Sequence, residues 1–357
     1  MKLKIAQLVL PWISLPPPGY AGTERVVYNL TQGLVKHGHE VTLFSVGESR
    51  TSATLEAILP KALSLQNDVM GMLKTSFYPL LHVAHCFEMA DRFDLIHSHA
   101  QFLGLPFASI VKTPSVHTFH RVYEFKTQDE TDLVKRYGHL NFTSISQAQR
   151  VPGINFIDTV YNGTDIDRYI PGKEIRQDHL FWAGRLIAKK GPEEAIAVAK
   201  ALNMPLVMAA EITEPEYYES QIKPHVDGKF IQLILEISQS EIIKMYQNAL
   251  ITLVPIKWNE PFGLVPVESM ACGTPVVAFA NGGVRETIFD GKTGYLVPES
   301  EGVAGLVAKT RAILNLTKTD YALMSQACRE HVVAHFSIEA MVNGYEKVYQ
   351  KLLGRIR

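Results

Sequence analysis

Apolar residues fall along this chain in two rhythms, short continuous runs and longer stretches at helical spacing. Residues 5–10, apolar but for Gln7, predict a buried strand. A loop rich in proline and glycine follows, Pro16-Pro17-Pro18-Gly19-Tyr20-Ala21-Gly22. Thr23 is then placed to cap a helix, because Val26, Val27, Leu30, Leu34 and Val35 recur at helical spacing. Gly38 stops that helix, and 41–46 is the next strand, with 94–97, 115–119 and 142–145 after it. The same grammar restarts at Leu180-Phe181-Trp182-Ala183, followed by Gly184 and a helix near 192–202. Further strands are expected at 206–209, 230–235, 251–255 and 275–278, with helices between them. Short continuous strands separated by helices imply α/β architecture with parallel sheets covered on both faces.

That pattern predicts two doubly wound, Rossmann-like domains, 1–168 and 169–336, facing each other across a cleft. The segment 162–176, rich in Gly, Asp and Pro, is the expected linker. Ligands in such sheets gather beyond the carboxyl ends of the strands. Ser337 is placed to cap a last helix within 337–357, with Met341, Val342, Tyr345, Val348 and Tyr349 on its apolar stripe. Periodicity alone leaves open whether this helix closes the second domain or packs back on the first.

Composition narrows the class. At 357 residues the chain is long for one core, and 46% hydrophobic with 20% charged residues is the balance of a water-soluble globular protein. A formal net charge of −1 gives no support to a nucleic-acid partner or to peripheral membrane contact. Cys86, Cys272 and Cys328 are odd in number and far apart, so neither a disulfide framework nor a zinc site is expected. The first ten residues resemble a buried strand more than a signal peptide, and no apolar run approaches the ~18 residues of a membrane span. The expected address is cytoplasmic, and the Asn-x-Thr triplets at Asn29, Asn141, Asn162 and Asn315 are read as chance matches.

Several nucleotide motifs are excluded. No Gly-x-Gly-x-x-Gly occurs, which removes the redox Rossmann signature. Gly291-Lys292-Thr293 resembles the end of a P-loop, but Glu286 stands where a glycine is needed and a strand-like Tyr295-Leu296-Val297 follows, so it reads as a turn. Asp165-Ile166-Asp167 reads as turn acids. His97 and His99 share one strand face, with His117 and His120 nearby in sequence, but no carboxylate ligand accompanies them, and no metal site is expected.

A set of ordered motifs carries a resemblance. Ala21-Gly22-Thr23-Glu24-Arg25-Val26-Val27 with Gly38-His39-Glu40-Val41, then Asn162-Gly163-Thr164-Asp165, Gly184-Arg185-Leu186 with Lys189-Lys190-Gly191, and Glu260-Pro261-Phe262-Gly263-Leu264 through Glu268 span nearly the whole chain. Gly273-Thr274-Pro275 and Gly282-Gly283 trail them. In this order they resemble the retaining glycosyltransferases of family four, which have the two-domain GT-B fold. Two positions depart from the family pattern: Ala21 where a glycine is usual, and Ala210-Glu211 after the strand at 206–209. The first raises the question of a methyl hindering close approach of a ligand, and the second of a reshaped donor pocket.

The resemblance implies a metal-independent transfer of a hexose from a nucleoside-diphosphate sugar to a sugar, lipid or small-molecule acceptor, with retention and without a cofactor. The helix beginning near Gly263, with Phe262 and Leu264 beside it, would offer free N–H groups to the diphosphate. Arg185, after Gly184, and Lys190 would add full positive charges there, with Lys189 the competitor that the resemblance disfavours. Glu268 would accept ribose hydroxyls and Glu260 hydroxyls of the transferred sugar. Acids then meet the neutral ends of the ligand, amides and cations its charged middle. His120 would lie near the transferred sugar, with His117 the alternative, and Gly22 would face the diphosphate or acceptor. The acceptor wall is expected within 11–22 and 117–123. A sugar-nucleotide epimerase of the same fold and a catalytically silent sugar-nucleotide binder are the competing readings.

Overall fold

Two all-parallel sheets account for the alternation in the sequence. They are seen in a computed structural model that describes residues 2–19, 21–65, 71, 73–122, 127–172, 178–235 and 237–354. Tyr20, Tyr123 and residues 173–176 of the expected linker lie outside the described residues.

In chain order the first sheet takes β1 (Lys4–Leu8), β2 (Glu40–Phe44), β3 (Thr54–Glu56), β4 (Leu95–Ser98), β5 (Ser115–Thr118), β6 (Phe142–Ser144) and β7 (Phe156–Thr159). Its helices are α1 (Gly22–Lys36), α2 (Tyr78–Glu88), the short α3 (Leu105–Ala108) and α4 (Gln128–Tyr137). The second sheet takes β8 (Leu180–Arg185), β9 (Leu206–Glu211), β10 (Ile231–Leu235), β11 (Ile251–Val254), β12 (Val276–Phe279) and β13 (Gly294–Val297). With it run α5 (Pro192–Leu202), α6 (Pro215–Tyr217), α7 (Gln239–Asn248), α8 (Leu264–Ala271), α9 (Val284–Thr287), α10 (Gly302–Leu314) and α11 (Lys318–His335). A final helix, α12, spans Ile338–Gly354.

The strand orders are β3-β2-β1-β4-β5-β6-β7 and β10-β9-β8-β11-β12-β13. Each order reverses once, between β1 and β4 in the first sheet and between β8 and β11 in the second. Doubly wound sheets take their ligands at such reversals, beyond the carboxyl ends of the strands. The strands β1, β4 and β5 are buried almost along their whole length, as expected for sheets covered on both faces.

The chain divides into two compact units, residues 1–163 with 338–357, and 164–337. The last helix therefore belongs with the first sheet. Its stripe of Met341, Val342, Tyr345, Val348 and Tyr349 is buried. It comes so close to α1 that a Cβ on Gly33 would stand 2.4 Å from Val342 Cγ2.

Thr23 does not cap α1. The helix starts one residue earlier at Gly22, its N-cap is Ala21, and no side chain caps the first turn. Ala21 adopts extended backbone, φ −136°, which any residue takes, so the glycine usual at this place is not needed for the turn. Gly291 turns with φ +75° ahead of β13, and the Asp165 carboxylate accepts from the backbone N–H groups of Asp167 and Arg168. Cys86, Cys272 and Cys328 are free and buried. No helix among the described residues is long and apolar enough to cross a membrane.

Candidate active site

The carboxyl edge of the second sheet gathers charge by close backbone packing. Strand β8 ends at Gly184 and Arg185, and Ala188–Lys190 form a single tight turn. Gly191 closes that turn with φ +69°, and a Cβ there would meet Pro255 O at 2.0 Å. Lys257 N donates to Lys189 O at 2.9 Å, and Trp182 Nε1 to Lys190 O at 3.2 Å. The lysine turn is thus clamped onto the segment leaving β11.

The result is a defined polar centre. Lys190 Nζ donates to Glu260 Oε2 at 2.7 Å, and Trp258 Nε1 donates to the same oxygen at 2.8 Å. Lys190 also lies over the Trp258 ring, 5.4 Å from its centroid, with Lys189 at 5.9 Å. Lys190 and Glu260 are mostly buried, with side-chain exposures of 18% and 15%. Glu260 Oε1 has no partner among the described residues. Arg185 is exposed, and its side chain makes no ion pair or hydrogen bond with the described residues. Its backbone neighbour across the ladder is Glu211, so the departure from the family pattern sits directly beside this arginine.

Glycines hold Glu260 from behind. A Cβ on Gly282 would stand 2.3 Å from Glu260 O, and Gly283 N donates to that oxygen at 2.7 Å. Gly263, with φ +96° and ψ 82°, forms the left-handed N-cap of α8. No side chain caps this helix, so the N–H groups of Leu264 and Val265 are free of intrahelical partners. Pro266 has no N–H to offer, which is harmless in a first turn. Phe262 is 2% exposed and packs edge-on against Phe336.

Glu268 differs from Glu260. It is 1% exposed, and its two oxygens accept from Tyr169 (3.1 Å) and Tyr246 (3.2 Å). It does not share the Lys190 cluster.

The first sheet brings its histidines to one place. Strand alternation puts His97 and His99 on one face, with ring centroids 4.1 Å apart. His99 Nδ1 contacts His120 Nε2 at 3.0 Å, and His99 Nε2 contacts Gln7 Oε1 at 3.1 Å. Burial pushes His120 down to about 4 and holds His97 and His99 well below the ordinary imidazole value. His117 is fully buried, contacts Ser115 Oγ at 3.1 Å, and is pushed by burial to about 3. It is a core histidine, and His120 is the one at the strand's end. Gly22 opens α1 at the same carboxyl edge, following β1. Among the described residues no group of three or more His, Cys, Asp or Glu side chains is placed to hold a metal ion.

Two parallel doubly wound sheets, each with one reversal of strand order, make up the GT-B architecture. Residues 165–330 match the family described as glycosyl transferases group 1, and residues 20–168 match glycosyltransferase family 4. The chain is 24% identical over 391 residues to a glycogen synthase of Mycobacterium tuberculosis, covering 96% of this chain and 94% of that one. It is 26% identical over 337 residues to a D-inositol 3-phosphate glycosyltransferase of Pseudarthrobacter chlorophenolicus, covering 79% and 80%. Among solved structures, sucrose-phosphate synthase from Thermosynechococcus elongatus superposes with a TM-score of 0.80 at 20% identity over 99% of this chain and 100% of that one. HepE of Anabaena in complex with UDP-glucose superposes with a TM-score of 0.72 at 19% identity, over 98% and 100%. The chain belongs to the family four glycosyltransferases, with the GT-B fold.

Some site residues were not visible in the sequence. Trp258 stands two positions before Glu260, and Tyr169 four after Asp165, but neither spacing announces a hydrogen bond. Arg329 of α11 donates to the carbonyls of Ile166, Tyr169 and Ala271, tying the segment that carries Tyr169 to the end of α8. Gln7 and Tyr349, at opposite ends of the chain, meet at the histidines.

Proposed function

We propose that this glycosyltransferase moves a hexose from a nucleoside-diphosphate sugar to a sugar, lipid or small-molecule acceptor, with retention of anomeric configuration and without a metal or cofactor. The observation that carries the reading is the convergence of Lys190 and Trp258 on one oxygen of Glu260, with Arg185 left unpaired on the same sheet edge. Arg185 and Lys190 supply the positive charge that the departing diphosphate needs as its bond to the sugar breaks. The N–H groups of Gly263, Leu264 and Val265 receive phosphate oxygens at the positive end of α8. Phe262 and Gly184 keep these turns in place, the first by burial and the second because a Cβ there would press on the Trp182 ring at 3.3 Å.

The unpaired Oε1 of Glu260 accepts a hydroxyl of the transferred sugar, and Glu268 accepts ribose hydroxyls. The family resemblance assigns His120 to the transferred sugar and Gly22 to the diphosphate or acceptor. Retention rests on family membership: the acceptor attacks the face the phosphate leaves, and the phosphate takes its proton. The test incubates the protein with UDP-, GDP- and ADP-hexoses, with and without acceptors, and follows release of the nucleoside diphosphate. Arg185→Ala and Lys190→Ala should each lose about 100-fold or more, roughly 2.7 kcal/mol of transition-state stabilisation. Near-normal turnover in both would refute the assignment, and sugar isomerised without acceptor would replace transfer by epimerisation.

A further inference from the structure

Of Arg185, Lys189 and Lys190, at the carboxyl edge of the second sheet, only Lys190 already has a counter-charge. Arg185 and Lys189 are exposed, and their side chains form no ion pair among the described residues. Lys190 Nζ donates to Glu260 Oε2 at 2.7 Å, with both side chains mostly buried. A carboxylate so close cancels most of the field that the ammonium presents to a third charge. An anion arriving here is therefore drawn first by Arg185 and Lys189, and must take Lys190 from Glu260.

The backbone under Lys190 is fixed. Lys189 O accepts from Lys257 N, Lys190 O accepts from Trp182 Nε1, and the Gly191 turn has no room for a Cβ beside Pro255 O. Freedom lies in the side chain, a flexible stem carrying three ammonium N–H groups. One is on Glu260, and the others have no partner among the described residues. Trp258 suits the ammonium in either position. Its ring, 5.4 Å from Nζ, is a face that a turning cation keeps. Its Nε1 gives Glu260 Oε2 a second donor at 2.8 Å, so the carboxylate keeps a hydrogen bond when the ammonium turns away.

We infer that Glu260 is an intramolecular competitor of the diphosphate for Lys190: the pair opens as a nucleoside diphosphate group binds and closes as it leaves. The inference rests on the donor reading above. Its effect falls mainly on the product. The terminal phosphate freed by transfer has a second pKa of about 6, so at neutral pH the product carries about one more negative charge than the donor and holds Lys190 harder. Transfer also removes the sugar hydroxyl from Glu260, which leaves Lys190 as the partner to reclaim. Closing of the pair then hastens product release.

Calorimetric titration with UDP, GDP and ADP, and with their glucose and mannose derivatives, measures the competition. Glu260→Gln keeps the shape and removes the charge that holds the ammonium. It should bind the preferred nucleoside diphosphate about 10-fold more tightly, because one charge-assisted bond no longer has to be broken. The matching nucleotide sugar should gain less. Glu260→Asp is the second variant, since it keeps the charge but draws it back from Lys190. It too should tighten the product, whereas an acid that merely repelled phosphate would leave Glu260→Asp like wild type. A purely structural pair would lower the melting temperature in both variants and tighten neither.

NMR of the lysine ammonium groups reads the exchange itself. In the free protein Lys190 should show a coupling through its hydrogen bond to the Glu260 carboxylate carbon, and saturating nucleoside diphosphate should replace it with one to phosphorus. A coupling to Glu260 that survives saturation, or product affinity unchanged or weakened in both variants, overturns the competition. If the free protein lacks the coupling, the pair is wrong while the donor reading stands. If the coupling is present and none of the nucleotides binds, the donor reading falls and takes the competitor role with it.

Discussion

Replacing Glu268 by glutamine keeps the shape of a side chain that is 1% exposed and changes only its charge and one acceptor. In the native protein both carboxylate oxygens accept from phenols, Tyr169 and Tyr246. A hydrogen bond to a charged group is worth roughly 1.5–3 kcal/mol and a neutral one about 0.5–1.5, so neutralising the acceptor weakens each bond by about 1 kcal/mol. The amide N–H₂ must also face one of the phenols, which then has to accept. Relief of the buried charge offsets part of this loss. A net destabilisation of about 2 kcal/mol results, or roughly 4–8 °C in the melting of a unit this size. Differential scanning calorimetry of Glu268→Gln, Tyr169→Phe, Tyr246→Phe and the double variants measures it, with a coupling of about 1 kcal/mol expected in each cycle. Transfer assayed well below the lowered melting temperature separates the scaffold from the ribose contact, which predicts a further loss in kcat/KM. Melting of Glu268→Gln within about 0.5 kcal/mol of wild type, with no coupling to either tyrosine, would refute the reasoning.

Trp258→Phe keeps the ring under Lys189 and Lys190 but removes the donor to Glu260. It should lower kcat/KM about 10-fold, and wild-type kinetics would dismiss Trp258 as a positioning group. His37, just past the end of α1, contacts Glu339 and Glu346 of α12 at 3.1 Å each. Burial alone would lower its pKa, but these carboxylates outweigh it and the net shift is upward. The stabilisation is therefore fully present below the ordinary histidine range, about 6.5, and is lost as pH rises through the raised value. The melting gap between wild type and His37→Gln should be wider at pH 6 than at pH 8.5, and a gap independent of pH would contradict this. Gly33→Leu forces a side chain against Val342 and Ile338 and should destabilise the first unit by roughly 1–3 kcal/mol in urea unfolding. An unchanged midpoint would show that α12 yields freely.

The alternation of strands and helices was legible because buried parallel strands read as short, mostly apolar runs between helical stretches, and the predicted helix at 192–202 is the observed α5. Two strands escaped. Thr54-Leu55-Glu56 and Phe156–Thr159 sit at the edges of the first sheet, pair on one side only, and are too short and mixed to show a period. Thr23 misled because a good capping residue inside a first turn looks, in sequence, like one just before it. At the site, residue types and chain order were readable, but pairings were not. Nothing in the spacing of Lys190 and Glu260, or of Glu268 and Tyr169, says that they touch. Whether the last helix packs on the first or second sheet was equally hidden, since its apolar stripe fits any complementary face.

That helix makes the first unit discontinuous in sequence, with the whole of 164–337 inserted ahead of its closing element. A ribosome therefore releases the first sheet long before the piece that covers it. During that interval Gln7 and His97 lack the phenol of Tyr349, and the patch around Gly33 lacks Val342. The nascent unit must wait, partly uncovered, while its neighbour is made.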